Sequence, residues 1–361
     1  MTVRSISKWS FYLLLFPITL GICAWQGWAW WSWVQSPPSP DRSKSETEKA
    51  IQIQIPAGTG AQQIGQSLES AGLIRSSHAW KLWTYWLKLQ NREGGYQAGT
   101  YKLSPTQPLA SIAEKIWTGE VMQLSFTVPE GWSLTQMASY FESLGYFKAQ
   151  DFLTAVTQIP RDKYPWLPNG IPHLEGYLYP DTYQLSSDRV SPQQIIEQML
   201  NRFEQVALPI YQQGQNQTKL SLAQWVTLAS IVEKEAVIPA ERPRIAGVFT
   251  ARLRKGMRLE TDPTVEYGLG IRQTMNQPLT YAQVKTASPY NTYLNPGLPP
   301  TPIASPGVAS LKATLYPENT DYLFFVARYD GTHFFSKTLA AHEAARDAIR
   351  KQVEAQPKTS P

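Results

Sequence analysis

Cysteine is almost absent from this sequence of 361 residues, and the single Cys23 excludes an intramolecular disulfide and any metal site built on paired thiolates. Histidine is scarce too. His78, His173, His333 and His342 are too widely separated for a histidine metal cluster to be expected, and no cofactor is implied. Charged residues make up 17% of the chain, and the net charge of +5 comes from basic residues that are dispersed except between Arg242 and Arg258. That dispersal speaks against nucleic acid as a partner, whereas mild basicity suits an anionic membrane or wall polymer. What is abundant is tryptophan and proline. The length suffices for two domains beyond a targeting segment.

From Trp9 to about Val34 the chain is apolar and aromatic, interrupted chiefly by Ser10, Thr19, Gln26 and Ser32. This predicts a single transmembrane helix within residues 1–34, since a span needs about 20 such residues. Arg4 and Lys8 precede it, so the N-terminus is expected in the cytoplasm and everything downstream outside the plasma membrane. The run lacks a small-residue cleavage site, which argues against a cleaved signal peptide. Residues 35–50, with SPPSPDRSKSETEK, are polar and proline-rich without periodicity and read as a flexible linker.

An internal echo follows. Ile53-Gln-Ile-Pro56-Ala-Gly58, then Ile64, then Leu68-Glu-Ser-Ala-Gly72, returns 73 residues later as Phe126-Thr-Val-Pro129-Glu-Gly131, Met137 and Phe141-Glu-Ser-Leu-Gly145. Each copy reads as strand, Pro-Gly turn, amphipathic helix and Gly cap. Between them, helices near Trp80 to Leu89 and Pro108 to Trp117 flank a strand at Gly99 to Leu103. Residues 51–125 thus form a small βααβ domain, and 126–361 a larger mixed domain; the fold class is α+β.

The larger domain holds the candidate chemistry. Ser221 with Gln224 reads as a capping box opening a helix whose apolar stripe is Leu222, Trp225, Val226, Ala229, Val232 and Ala236. Glu233 and Glu235 fall on opposite flanks of that stripe. Either carboxyl, set among apolar neighbours, can hold its proton near neutral pH and donate it, as glycosidic cleavage requires; either can equally border the helix and pair with an arginine. Periodicity does not choose between them. Pro239 starts a second helix, ended by Gly256, whose Arg242, Arg252 and Arg254 are expected in solvent. Asp262 with Pro263 reads as N-cap and first turn of a short helix closed by Gly268, or alternatively as an acid near Glu235. Leu174 to Tyr183, with Glu175 and Tyr179, reads as a shaped aromatic loop that either lines a sugar site or packs as a buried turn. Ser288 to Tyr293 opens a long irregular loop, Asp330-Gly331 turns a hairpin in which His333 is structural, and a last helix runs from about Leu339 to Val353.

Taken together, ASIVEKEA, ER and VFTARLRKGMRLETDPTVEYG resemble the signature of the MltG (YceG-like) endolytic murein transglycosylases. LEGYLYPDTY, ASPYNTY, GLPPTPIASPG and SLKATLYP extend the likeness over about Ile51 to Ala345. The resemblance implies a membrane-anchored enzyme that cuts peptidoglycan glycan strands, leaving a 1,6-anhydro muramic end and limiting strand elongation. It places the catalytic acid at Glu235 and cleft residues at Tyr290, Asn291 and Tyr293, to which the residue types of their own segments add Glu175, Tyr179 and Asp262 as candidate substrate-binding residues. It also implies that the small domain is LysM-like, and it makes peptidoglycan synthases and division proteins the candidate protein partners. Two other readings stand beside it: a hydrolase with Asp262 or Glu175 as second carboxylate, and a non-catalytic wall-binding scaffold.

Overall fold

The computed structural model describes residues 12, 15–39, 50–90, 95–121, 124–185, 190–274, 277–328 and 330–355. Helix α1 (Phe16–Gln35) is followed by β1 (Ile51–Ile55), α2 (Ala61–Ser70), α3 (Ser77–Leu89), β2 (Gly99–Leu103), α4 (Leu109–Thr118) and β3 (Leu124–Thr127). Then come α5 (Leu134–Ser143), α6 (Ala149–Ala155), β4 (Thr182–Leu185), α7 (Pro192–Gly214), α8 (Leu222–Glu235), α9 (Arg242–Arg254) and α10 (Asp262–Leu269). The chain closes with α11 (Tyr281–Val284), α12 (Val308–Leu315), β5 (Phe324–Ala327), β6 (His333–Ser336) and α13 (Leu339–Ala355). It divides into two compact units, Met1–Ser125 with Gln184–Asp188, and Phe126–Tyr183 with Arg189–Pro361. The fold is mixed α+β.

In the first unit β1 and β2 pair antiparallel, Ile51 facing Leu103 and Ile55 facing Gly99. α2, α3 and α4 cover the pair around Ile64, Leu68, Trp80, Tyr101 and Ile112, all buried. α1 belongs to this body. Val34 is fully buried in the same core, and the Trp31 ring stacks 6.4 Å from Trp83 on α3. The start of the expected linker is held as well. Arg75 donates to the Pro37 carbonyl at 2.7 Å and lies 5.0 Å above the Trp33 ring, while the Ser39 amide donates to the Pro105 carbonyl at 3.0 Å. Proline carbonyls without competing amide partners are good acceptors for a guanidinium, which is why this part is not free. Residues 40–49, and the expected span before residue 12, lie outside the described residues. Among the described residues no helix is long and apolar enough to cross a membrane. α1 has no charge, but Trp25, Trp28, Trp30, Trp31 and Trp33 fill its second half, and indole is an interfacial group more than a hydrocarbon one.

The echo is geometric as well as sequential. α2 and α5 start and end 73 residues apart, and the paired turn glycines Gly58 (φ 81°) and Gly131 (φ 76°) adopt the same left-handed conformation. Only glycine visits it freely, so both turns carry one.

The second unit is built on α8. Ser221 caps it through the Gln224 amide, with the reciprocal capping-box bond present. The expected one-sided stripe is exceeded: every residue from Trp225 to Val232 is buried, because α9, α10 and α12 pack around it. A helix buried on all sides admits no charge in its middle, and its two acids fall in the last turn. Trp225 donates from its indole to the Leu311 carbonyl at 3.0 Å and tilts against Tyr211 at 5.2 Å, tying α8 to α12. The β5–β6 hairpin pairs Phe324 with Ser336 and Ala327 with His333, and α13 packs on it. Trp225→Phe removes that buried hydrogen bond and leaves part of the indole volume empty, so unfolding in urea should show a loss of about 2 kcal/mol; a change below about 0.5 kcal/mol would mean that α8 is not the keystone described.

Candidate active site

The last turn of α8 separates its two acids. Glu233 turns inward, where its carboxylate accepts from Arg242 Nη2 at 3.1 Å and from the Gly307 amide at 3.0 Å. Arg242 is itself buried and donates from Nε to Ser310 Oγ at 3.0 Å. Glu130 crowds the same corner: a Cβ on residue 307 would meet its carboxylate, which would have to move aside. Burial first, and the Glu233 charge second, raise the Glu130 pKa against the pull of Arg242. Glu233 is thus tied into a buried ion pair with a structural task. The solvent placement expected for Arg242 is overturned, because α9 starts against α8 and α12 and brings this guanidinium to a carboxylate already out of water.

Glu235, half-buried, faces the other way and has no cation within ion-pairing distance among the described residues. Its carboxylate accepts from the Thr261 hydroxyl. Burial, opposed by that hydrogen bond and reinforced by the charges of Asp262 and Glu266, raises its pKa to about 7. It is an acid that still holds its proton near neutral pH.

The segment 258–261 that presents Thr261 is fixed by Arg252, also buried rather than solvated. Its Nη1 donates to the carbonyls of Arg258 (3.0 Å) and Leu259 (2.9 Å) and to Glu260 (3.2 Å), and its Nε donates to the Leu323 carbonyl at 2.6 Å. Four acceptors around one guanidinium explain its burial. Glu260 has φ 51°, alone among described non-glycine residues in being left-handed. That conformation costs about 1 kcal/mol for a residue with a Cβ and is held by the bonds of its neighbours, such as the Thr261 amide to Thr292 Oγ1 at 3.1 Å.

A cleft of about 570 Å³ opens beside Glu235, lined also by Asp262, Tyr293, Gln273, Phe325 and His342. Asp262 is the first residue of α10, not its cap: Thr261 holds the cap position, the Asp262 carboxylate makes no capping bond, and Gly270 rather than Gly268 closes the helix. Its oxygens instead accept from Tyr293 Oη at 2.7 Å and Gln273 Nε2 at 3.4 Å.

The structure thus brings Glu235, Asp262 and Tyr293 to one cleft and leaves the other expected binding residues off its walls. Glu175 is 1% exposed, and its carboxylate accepts from the Leu134 amide at the start of α5 (3.2 Å) and from Tyr267 Oη (2.9 Å). Tyr179 is buried, with its carbonyl accepting from Tyr183 Oη. Asn291 is fully buried and staples the loop, donating to the carbonyls of Val284 (2.8 Å) and Thr286 (2.9 Å) and accepting from the Tyr293 amide (3.0 Å). Tyr290 shares a hydrogen bond of 2.9 Å with Thr301 and meets Tyr267 edge-on at 4.8 Å. These four shape the loops behind the cleft; a polar side chain in an irregular loop is as often needed to satisfy the loop itself as to meet a ligand. His333 is structural as expected, with Nδ1 2.7 Å from Glu241. Thr261, Arg252 and Glu260 carried no signal that sequence reasoning could weigh, because their roles depend on a left-handed residue and on carbonyls from other elements.

Burial also raises the Glu175 pKa to about 7, partly offset by its bonds to Leu134 and Tyr267. The folded protein then keeps protons that the unfolded chain gives up above about pH 4.5. The contribution of Glu175 to stability is fully present below that pH and is lost as pH rises toward 7, by about 3 kcal/mol. In urea unfolding from pH 4 to 8, wild type should lose stability over this window, and Glu175→Gln should lose clearly less; parallel curves would contradict the assignment.

Comparison with known proteins places this architecture. The YceG-like family model matches residues 53–348. The endolytic murein transglycosylase of Bacillus subtilis (strain 168) is 34% identical over 317 residues, covering 84% of this chain and 86% of that protein. The protein of the same name from Streptococcus pneumoniae (serotype 2, strain D39 / NCTC 7466) is 29% identical over 329 residues, which cover 83% of this chain and 58% of that longer protein. A crystal structure of a YceG-like protein from Listeria monocytogenes matches with a TM-score of 0.57 at 36% identity, over 82% of this chain and 99% of that one. With a family match over most of its length and a solved relative of the same architecture, the chain belongs to the YceG-like family.

Proposed function

We propose that the protein is an endolytic lytic transglycosylase of peptidoglycan, anchored to the plasma membrane and cutting glycan strands outside it. The observation that carries this reading is the placement of Glu235, a carboxyl whose pKa burial pushes up to about 7, in an open cleft with the neighbouring acids already engaged. Glu235 donates its proton to the oxygen linking C1 of N-acetylmuramic acid to N-acetylglucosamine, and the C1–O bond breaks. Asp262, held in place by the hydrogen bond from Tyr293, sits in the same cleft, where a carboxylate favours the positive charge that develops at C1. The muramic 6-hydroxyl then attacks C1 and releases its proton to the Glu235 carboxylate. One C–O bond is broken, one is formed, and the acid is regenerated without water. An intramolecular nucleophile has a high effective molarity, which offsets the lack of a second free base.

A hydrolase needs a second carboxylate free to act on water. Glu175 is sealed against Leu134 and Tyr267, which leaves Asp262 as the one candidate for that rival. The anchor in this reading is α1 with the apolar residues before it: a charge-free helix of 20 residues, about 30 Å long, with Phe16, Ile18, Leu20 and Ile22 exposed. The small domain would hold glycan as a LysM-like module and bring it to the cleft; cutting within nascent strands would end their elongation.

Incubating the full chain with uncrosslinked glycan and weighing the fragments should give 1,6-anhydro ends, reduced roughly 100-fold or more in Glu235→Gln. Muramic ends heavier by one water would point to hydrolysis through Asp262, and an undiminished variant would remove Glu235 from the reaction. Because the acid must be protonated to act, kcat/KM should fall as pH rises through about 7. A falling limb that starts near pH 4.5 would contradict the raised pKa.

A further inference from the structure

Among the described residues the outer face of α3 has no partner. Leu82, Tyr85, Trp86 and Leu89 are 51%, 64%, 44% and 66% exposed, and their spacing of three, four and seven residues puts them in one stripe. The opposite face, with Ala79, Trp80, Thr84 and Leu87, is buried in the small domain. Four large apolar side chains along one helix face are a surface that water does not favour.

We propose that this stripe lies in the headgroup region of the bilayer, so that the small domain rests on the membrane through α3 instead of swinging free on a tether. The inference rests on the anchoring of α1 proposed above. Two observations select a lipid surface over a protein partner. The first is continuity: the rings of Trp30, Trp31, Trp83 and Trp86 follow one another at 6.3, 6.4 and 4.8 Å, leading from the end of α1 to the stripe. Indoles in such a row suit the boundary between headgroups and hydrocarbon, where the body of the ring is apolar and its N–H stays wet. The second is charge. Between Ser77 and Leu89 there is no acidic residue, while Lys81 and Lys88 flank the stripe, and Arg75 grips the carbonyls of Ser36 and Pro37 where α1 ends. A basic, aromatic, amphipathic helix beside a membrane anchor matches the chemistry of an anionic lipid surface. Docking of Val34 and Ser39 onto the same domain removes the slack that would let the stripe leave the interface.

The consequence is a fixed height for the first unit, with strands β1 and β2 carried at a set distance from the lipid. The test uses the full chain in vesicles of phosphatidylcholine with about a quarter phosphatidylglycerol. A nitroxide is attached either to the native Cys23, or to Tyr85→Cys or Glu69→Cys in a Cys23→Ser background; Glu69 is exposed on α2 of the same domain. The label at 85 should collide more with oxygen than with a water-soluble nickel chelate, and should lose most of its nickel collisions relative to the label at 69. Equal nickel access at 85 and 69 would overturn the proposal. Shielding at 85 accompanied by spin–spin broadening that grows with the protein-to-lipid ratio would assign the stripe to a second copy of the chain and overturn it as well. The label at Cys23 reports separately on the anchor: lipid-exposed at 23 but wet at 85 refutes this inference and leaves the anchor standing, whereas wet at 23 refutes the anchor.

Discussion

Arg242 reaches Glu233 and leaves Glu235 without an ion-pairing cation among the described residues, although the two acids are separated by a single lysine. Everything proposed about the chemistry depends on that asymmetry. A carboxyl engaged by a buried guanidinium is tied to a structural task, whereas one that is desolvated beside other anions has its pKa raised toward neutrality. The helix supplies the separation, since residues two apart point about 200° from one another, so one acid turns toward α9 and α12 and the other toward the cleft. Glu233 in turn holds the Gly307 amide and with it the start of α12, so the ion pair also positions the helix that α8 packs against.

The cleft side is kept in shape by bonds that come from far along the chain. Arg252 gathers carbonyls from 258, 259 and 323, and the resulting left-handed turn at Glu260 aims the Thr261 hydroxyl at Glu235. Thr292 braces the same turn from the 288–293 loop, and Asn291 staples that loop to the carbonyls of Val284 and Thr286. The functional acid sits at the end of a rigid buried helix, while its tuning partners sit on loops that are rigid only because their polar groups are internally satisfied.

Much of the fold was legible because local rules and tertiary packing agreed. The capping box at Ser221 and the strand at Gly99 to Leu103 appear where their residues ask for them, and the echo predicted two matching helices, each entered through a Pro-Gly turn. The choice between Glu233 and Glu235 was not legible from periodicity, since each has the same apolar neighbours along the helix; it depends on where Arg242 lies in space. The same holds for Arg252, which composition alone assigns to solvent. Glu175 and Asn291 stood out in sequence because polar residues among aromatics and prolines look functional, and the structure gives them a different task, satisfying backbone groups that those loops bury. The N-terminal segment was read as a span by its run of apolar residues, and the described helix is short of that because indole fills its second half.

The proposed chemistry requires Glu235 to hold a proton near neutral pH before any substrate arrives, and infrared titration, taken as the difference between wild type and Glu235→Gln, reads that proton. A protonated-carboxyl band should be lost with a midpoint near pH 7. A band already lost by about pH 5, as for an ordinary glutamate, would contradict it.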